Sequence, residues 1–192
     1  MPTQARLNAP AWPSRVIAGL NDADRRASAL ARGLSAAQLN WKPSPHQWSI
    51  GQCLDHLLVS SEVYLPPISR ALDGRASSPV DEITPGLVGR FFIRTFIEPS
   101  TQRLRGRAAG KIRPAKDVAP DILDRFLRSN DLTRALVRRA SAYDVNRIRF
   151  VNPFVPLLRF NVATGIEVLW RHQHRHLLQA ERVRQAETFP DE

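Results

Sequence analysis

Residues 161–186 read NVATGIEVLWRHQHRHLLQAERVRQA. Ile166, Leu169, His172, His176, Leu177, Ala180 and Val183 fall there on one stripe at helical spacing. This predicts a helix over 161–186 whose apolar face carries two histidines. His172 and His176 are four residues apart, so their Cβ atoms stand about 6 Å apart on one face, where two imidazoles can share a metal ion. Two inward imidazoles need partners, because a buried polar ring without one is costly. Gln173, not glutamate, follows His172, so the zinc-protease helix with its built-in general base is absent. His174 lies about 200° round the helix from His172 and is expected in solvent.

Working outward, three more helical stripes appear. Over 12–34, Trp12, Val16, Ile17, Leu20, Ala23, Ala27, Leu30, Ala31 and Leu34 keep the spacing, and Gly33 suits its end. Over 49–73, Ser49 and Gln52 form a capping-box pattern ahead of Ile50, Cys53, Leu54, Leu57 and Leu58. Tyr64, Leu65, Ile68 and Leu72 continue that stripe, and Pro66 and Pro67 predict a kink or break near Leu65. Over 121–140, Ile122, Leu123, Phe126, Leu127, Leu132, Ala135 and Leu136 form the third.

Residues 35–48, 75–117 and 141–160 read as connectors. Pro43 and Pro45 argue against a regular helix in the first, and Trp41 and Trp48 around them are expected to plug one end of the core. A short helix within 86–104, carrying Leu87, Phe91, Phe92, Phe96 and Ile97, is the one element expected in the second. No period-two strand pattern stands out. The reading is an all-α four-helix bundle with long connections between its second and third and its third and fourth helices. It forms one domain over 1–192, with a core of about 12–187 and tails at 1–11 and 188–192.

Composition agrees. Hydrophobic residues make up 43% of the 192, enough for one sizeable core. Charged residues at 24% and only 9 glycines exclude a disordered or fibrous chain. The net charge of +10 is nearly all arginine, since Lys42, Lys111 and Lys116 are the only lysines. Such an excess raises nucleic acid as a partner. The loosest cluster, Arg103, Arg105, Arg107, Lys111, Arg113 and Lys116, has no aromatic residues between its charges, so a solvated surface and no specific nucleic acid are expected. Cys53 is the single cysteine, which rules out an intrachain disulfide and a cysteine cluster for zinc. The N-terminus has no apolar run of signal-peptide length, and Phe91 to Ile97, interrupted by Arg94, is too short to span a bilayer. A cytoplasmic protein without membrane contact is expected.

The best third ligand is His56, which sits on the second helix among Cys53, Leu57 and Ser60, whereas His46 lies in the proline-rich connector. Three histidines on two helices would leave a coordination position open, as in reactive metal sites.

Two stretches also carry a family resemblance. Leu39-Asn40-Trp41-Lys42-Pro43 through Trp48-Ser49-Ile50-Gly51, followed by His56-Leu57, resembles the opening of the DinB-like superfamily. His172-Gln173-His174-Arg175-His176-Leu177-Leu178-Gln179-Ala180 resembles that family's last helix. The resemblance implies a four-helix bundle with a divalent metal held by His56, His172 and His176, zinc or nickel being the leading candidates. It also implies thiol-dependent transferase or isomerase chemistry using a low-molecular-weight thiol and a small-molecule substrate. Pro66 and Pro67 depart from the smooth second helix expected of the family.

No carboxylate is placed to act as acid or base, because Asp55 is about 100° off the face of His56 and Glu167 and Glu181 are turned away. Catalysis would then rest on the ion, which can hold a thiol as thiolate or acidify a bound water. Ser60, Cys53 and Gln179 could line the site, Gln179 as a partner that orients an imidazole. Arg175 is either a surface charge or the holder of an acidic thiol, and Gly165 makes either ligand space or a packing contact. The leading function is a metal-dependent thiol S-transferase; the alternative is a non-catalytic metal-binding bundle in stress response or partner binding. A homodimer is left open.

Overall fold

The apolar stripes become four long helices. The computed structural model describes residues 11–98, 110–155 and 157–191. In chain order the elements are α1 Ala11–Ala31, α2 Ala36–Asn40, α3 Ile50–Leu72, α4 Leu87–Phe92, α5 Ile122–Ala140, β1 Arg149–Val151, β2 Arg159–Asn161 and α6 Val162–Arg184. α1 buries Trp12, Val16, Leu20, Ala23, Ala27 and Ala31, every third or fourth residue. α3 starts at the expected box: the Ser49 hydroxyl accepts from the Gln52 N–H (3.1 Å), and the Gln52 side chain accepts from the Ser49 N–H (3.3 Å). α1 and α3 stand at opposite corners, each packed chiefly on α5 and α6. This is the predicted all-α four-helix bundle. No helix among the described residues is long and apolar enough to cross a membrane.

The core divides into two apolar clusters. One holds Leu20 of α1, Ile68 of α3, Leu136 of α5 and Ile166 of α6. The other holds Ala27, Leu54, Phe126 and Leu177 of the same four helices. The order along each helix shows that α1 and α6 run from the first cluster to the second, and α3 and α5 run back. α3 and α5 being parallel, the chain between them must return the length of the bundle, which accounts for the long connection. Between the clusters lies a polar layer of buried side chains: His56, Ser60 and Ser61 on α3, Ser129, Asn130 and Thr133 on α5, and Gln173 and His176 on α6.

Four expectations need correction. The 35–48 connector contains α2, started by a second capping box in which Ser35 and Gln38 exchange hydrogen bonds; Pro43 and Pro45 fall after it. α3 continues unbroken through Pro66 and Pro67. The carbonyls those prolines leave without N–H donors belong to Glu62 and Val63, an exposed and a half-buried residue, so water can take the missing bonds. The 141–160 connector carries an antiparallel pair, with Phe150 opposite Phe160 and both buried; three residues per strand is too short for an alternation to register. The expected C-terminal tail is docked, since Phe189 meets Trp41 edge-on at 5.4 Å and Gln38 donates to the carbonyls of Pro190 and Asp191.

Within 75–117, α4 runs into a wider π turn over Ile93–Ile97, and a single tight turn forms at Gly110–Ile112. Gly89 of α4 lies so close to Thr164 of α6 that any side chain there would collide. Arg103, Arg105 and Arg107 of the basic cluster lie outside the described residues, as do most of the tail at 1–11 and the end of the helix sought within 86–104.

Candidate metal centre

α6 is fixed at its start by Asn161, whose side chain accepts from the Thr164 N–H at 3.0 Å. Three turns on, His172 and His176 face α3, where His56 stands two turns past the Ser49 cap. The three Nε2 atoms converge: His172 Nε2 is 3.2 Å from that of His56 and 3.0 Å from that of His176. Two nitrogens bound at about 2.05 Å to one tetrahedral ion lie about 3.3 Å apart, so the observed spacing fits shared ligation. Among the described residues this is the group of histidine, cysteine and acidic side chains placed to hold an ion.

The outer nitrogens fix where the lone pairs point. His56 Nδ1 is 2.6 Å from the Ile112 carbonyl oxygen. A carbonyl only accepts, so Nδ1 carries the proton and Nε2 of the neutral ring turns its lone pair inward. His176 Nδ1 lies 3.1 Å from Gln179 Oε1, with the same consequence. His172 Nε2 can donate to only one of those two lone pairs, so at least one aims at the shared space unanswered, which a cation resolves.

Burial keeps the trio neutral, as ligation requires. Desolvation pushes all three rings below the ordinary histidine value. His56 is lowered despite the Ile112 bond and the charge of Asp55. His172 falls well below it, helped by His176, His56 and Arg175. His176 falls to about 3, with His56 and Arg175 adding to burial and Gln179 opposing it.

The remaining candidates sort clearly. His46 is exposed in its connector, and exposed His174 pairs with Arg26 at 2.7 Å. Cys53 is wholly buried in the core cluster of Leu54 and Phe126, and burial pushes its thiol up, so it is no ligand. Ser60 lines the site and donates to the His56 carbonyl at 2.6 Å. Gly165 is a packing position, because a side chain there would strike Ile68 and Phe150. Asp55 is turned away and accepts from the Ala115 N–H at 2.8 Å.

Sequence reasoning missed two parts. Trp48, expected to plug the core end, lies over the site, its ring centroid 4.8 Å from that of His56 and 5.5 Å from that of His176. Its place directly before the Ser49 cap was the available signal. The Ile112 carbonyl had none, being a backbone atom 56 residues away in sequence.

The open side of the trio faces a cavity of about 250 Å³. Its walls are mostly apolar, including Leu57, Phe92, Phe96, Phe154, Val168 and Leu169, and no Asp or Glu among the described residues lines it. Among the described residues, Arg175 is the one cationic side chain on the lining. The arrangement can hold a divalent ion on neutral nitrogens and present it to a small ligand in a mostly apolar cavity.

A family model described as the DinB superfamily matches residues 20–180. No curated protein and no solved structure matches the chain.

Proposed function

The chain belongs to the DinB superfamily, and from that membership and its histidine trio we propose a metal-dependent enzyme that transfers a thiol to a small-molecule substrate. The observation that carries the reading is the convergence of three Nε2 atoms, 3.0 and 3.2 Å apart, on the floor of an apolar cavity. A divalent ion, zinc or nickel by the nitrogen donor set, would supply the acidity that keeps a thiol ionised near neutral pH.

The chain's own residues prepare the site. Ile112 and Gln179 hold protons on the Nδ1 atoms of His56 and His176 and so keep their donor nitrogens inward. Trp48 closes over both rings. Phe92, Phe96 and Phe154 line the cavity beside the trio and give it apolar walls. The overall change is a substitution: the S–H proton leaves to solvent, a C–S bond forms, and the leaving group departs with the electron pair of its bond. A non-catalytic metal-binding bundle would need no cavity at the open face of its ion, which favours the enzyme.

Metal content and thiol-conjugation rate, measured side by side on five variants, test this. His56→Ala, His172→Ala and His176→Ala should each abolish stoichiometric metal binding and activity, whereas His46→Ala and His174→Ala should keep both. Retained metal in His56→Ala removes the trio, and full conjugation by metal-free protein removes the chemistry.

A further inference from the structure

Arg175 differs from five other arginines of the bundle helices. Arg15, Arg26, Arg134, Arg139 and Arg171 each meet a carboxylate within 2.9 Å. Arg175 donates Nη1 to the backbone carbonyl of Glu98 at 3.0 Å, while the Glu98 carboxylate is taken by Arg171 at 2.7 Å. No carboxylate pairs with Arg175 among the described residues, and residues 99–109 contain no Asp or Glu. The guanidinium is half-buried on the cavity lining, with donors to spare from its five N–H groups.

A cation held in an apolar cavity without a counter-charge is unfavourable, and its own charge draws in an anion. The rest of the wall restricts which anion. Phe92 and Phe96 pack at 5.3 Å between ring centroids, beside Phe154, Leu57, Val168 and Leu169. A strongly hydrated polyanion or a sugar would leave polar groups unpaired against those rings. The volume of about 250 Å³ is below the roughly 300–1,000 Å³ of pockets for drug-sized ligands, so the ligand is small.

We propose that the cavity selects small ligands joining an aryl or short alkyl body to one carboxylate, and that Arg175 is the specificity residue that pairs with that carboxylate. This deepens the thiol-transfer reading, which concerns the histidine end of the same cavity. Either the thiol or its acceptor can carry the carboxylate.

The test uses calorimetric titration of the full-length chain, zinc-loaded and chelator-stripped, with 3-phenylpropanoate and with 3-phenyl-1-propanol. A charge-assisted pair predicts about tenfold or greater preference for the acid in both preparations. Arg175→Gln should shrink the preference to within about twofold, and Arg175→Lys, which keeps the charge but not the fork, should retain part of it. Circular dichroism establishes that each variant is folded, and the lysine variant keeps the test alive if the glutamine one is not. Equal affinity for acid and alcohol, or a preference that survives Arg175→Gln, overturns the assignment. Because the stripped protein carries no ion, failure of the metal reading leaves this comparison intact. Conversely, zinc binding without carboxylate preference removes only the Arg175 subsite.

Discussion

α6 presents two polar faces to the middle of the bundle, and they end differently. On one, Gln173 and Asn130 exchange amide hydrogen bonds of 2.6 and 3.2 Å. Asn130 also donates to Asp24 at 2.6 Å, and Asp24 is held by Arg134 at 2.7 Å. Donors there meet acceptors, and the chain closes the network by itself. On the other face, His172 and His176 meet His56 with nitrogens that are mainly acceptors facing acceptors. Both faces interrupt the apolar core at the same level. The first is finished by the protein; the second leaves at least one lone pair unanswered and could hold an ion. Interior polar groups are thus no single class: the closed network serves the fold, and the open one is kept at a cost to it.

The largest effect should separate the two directly. Asn130→Ala strands buried Gln173 and weakens the hold on half-buried Asp24, and should cost about 3 kcal/mol in urea unfolding. His176→Leu in metal-free protein should cost under about 1 kcal/mol, because an apolar side chain of similar size removes an unresolved polar contact. Saturating zinc should then raise the melting temperature of wild type and of Asn130→Ala but not of His176→Leu. If His176→Leu proves the more damaging change in metal-free protein, the two faces are alike and the contrast fails.

The same contrast shows what the sequence could convey. Four stripes predicted the bundle, and the Ser49–Gln52 box fixed the start of α3 and so the phase that turns His56 inward. His172 and His176 were legible because a one-turn interval on an apolar stripe leaves little choice of direction. Ser35 and Gln38 carried the same capping signal, but the prolines that follow them masked it. Pro66 and Pro67 misled because their cost depends on which face bears the freed carbonyls, and that is a tertiary fact. The Ile112 carbonyl, the cavity walls from α4 and the hairpin, and the parallel course of α3 and α5 arise from long-range packing, which no local pattern records.

A smaller effect concerns pH. The native His176 ring sits at about 3, below its ordinary 6.5. As pH falls through 6.5 the unfolded chain takes up a proton that the folded chain refuses, so stability drops. Above about 7 both states are neutral and the group contributes no slope. The slope is about 1.4 kcal/mol per pH unit per ring, or about 2 kcal/mol for His176 between 6.5 and 5. His56 and His172, lowered in the same direction, add to it. Unfolding of metal-free wild type and His176→Leu at pH 7.5 and 5 should show a loss about 2 kcal/mol smaller in the variant. Equal losses would mean that His176 takes up its proton in the native state, and with it that the ring is not held neutral for ligation.

The smallest effect probes how the open face is aimed. Gln179 is half-buried and touches the site only through the 3.1 Å bond to His176 Nδ1. Gln179→Ala removes the group that keeps the proton on Nδ1, so the ring can carry it on Nε2 and lose its lone pair toward the ion. Partners of this kind change metal affinity by about tenfold or somewhat more, which chelator competition resolves. Gln179→Glu keeps an acceptor and adds charge, so affinity should be held or raised. Metal-free stability should fall by about 1 kcal/mol in the alanine variant, the worth of one hydrogen bond, and by less in the glutamate one. An alanine variant that binds zinc as tightly as wild type would show that packing under Trp48 alone orients His176. A comparable loss in both variants would instead point to the amide N–H donor, which alanine and glutamate both lack, because only the alanine lacks an acceptor for the Nδ1 proton.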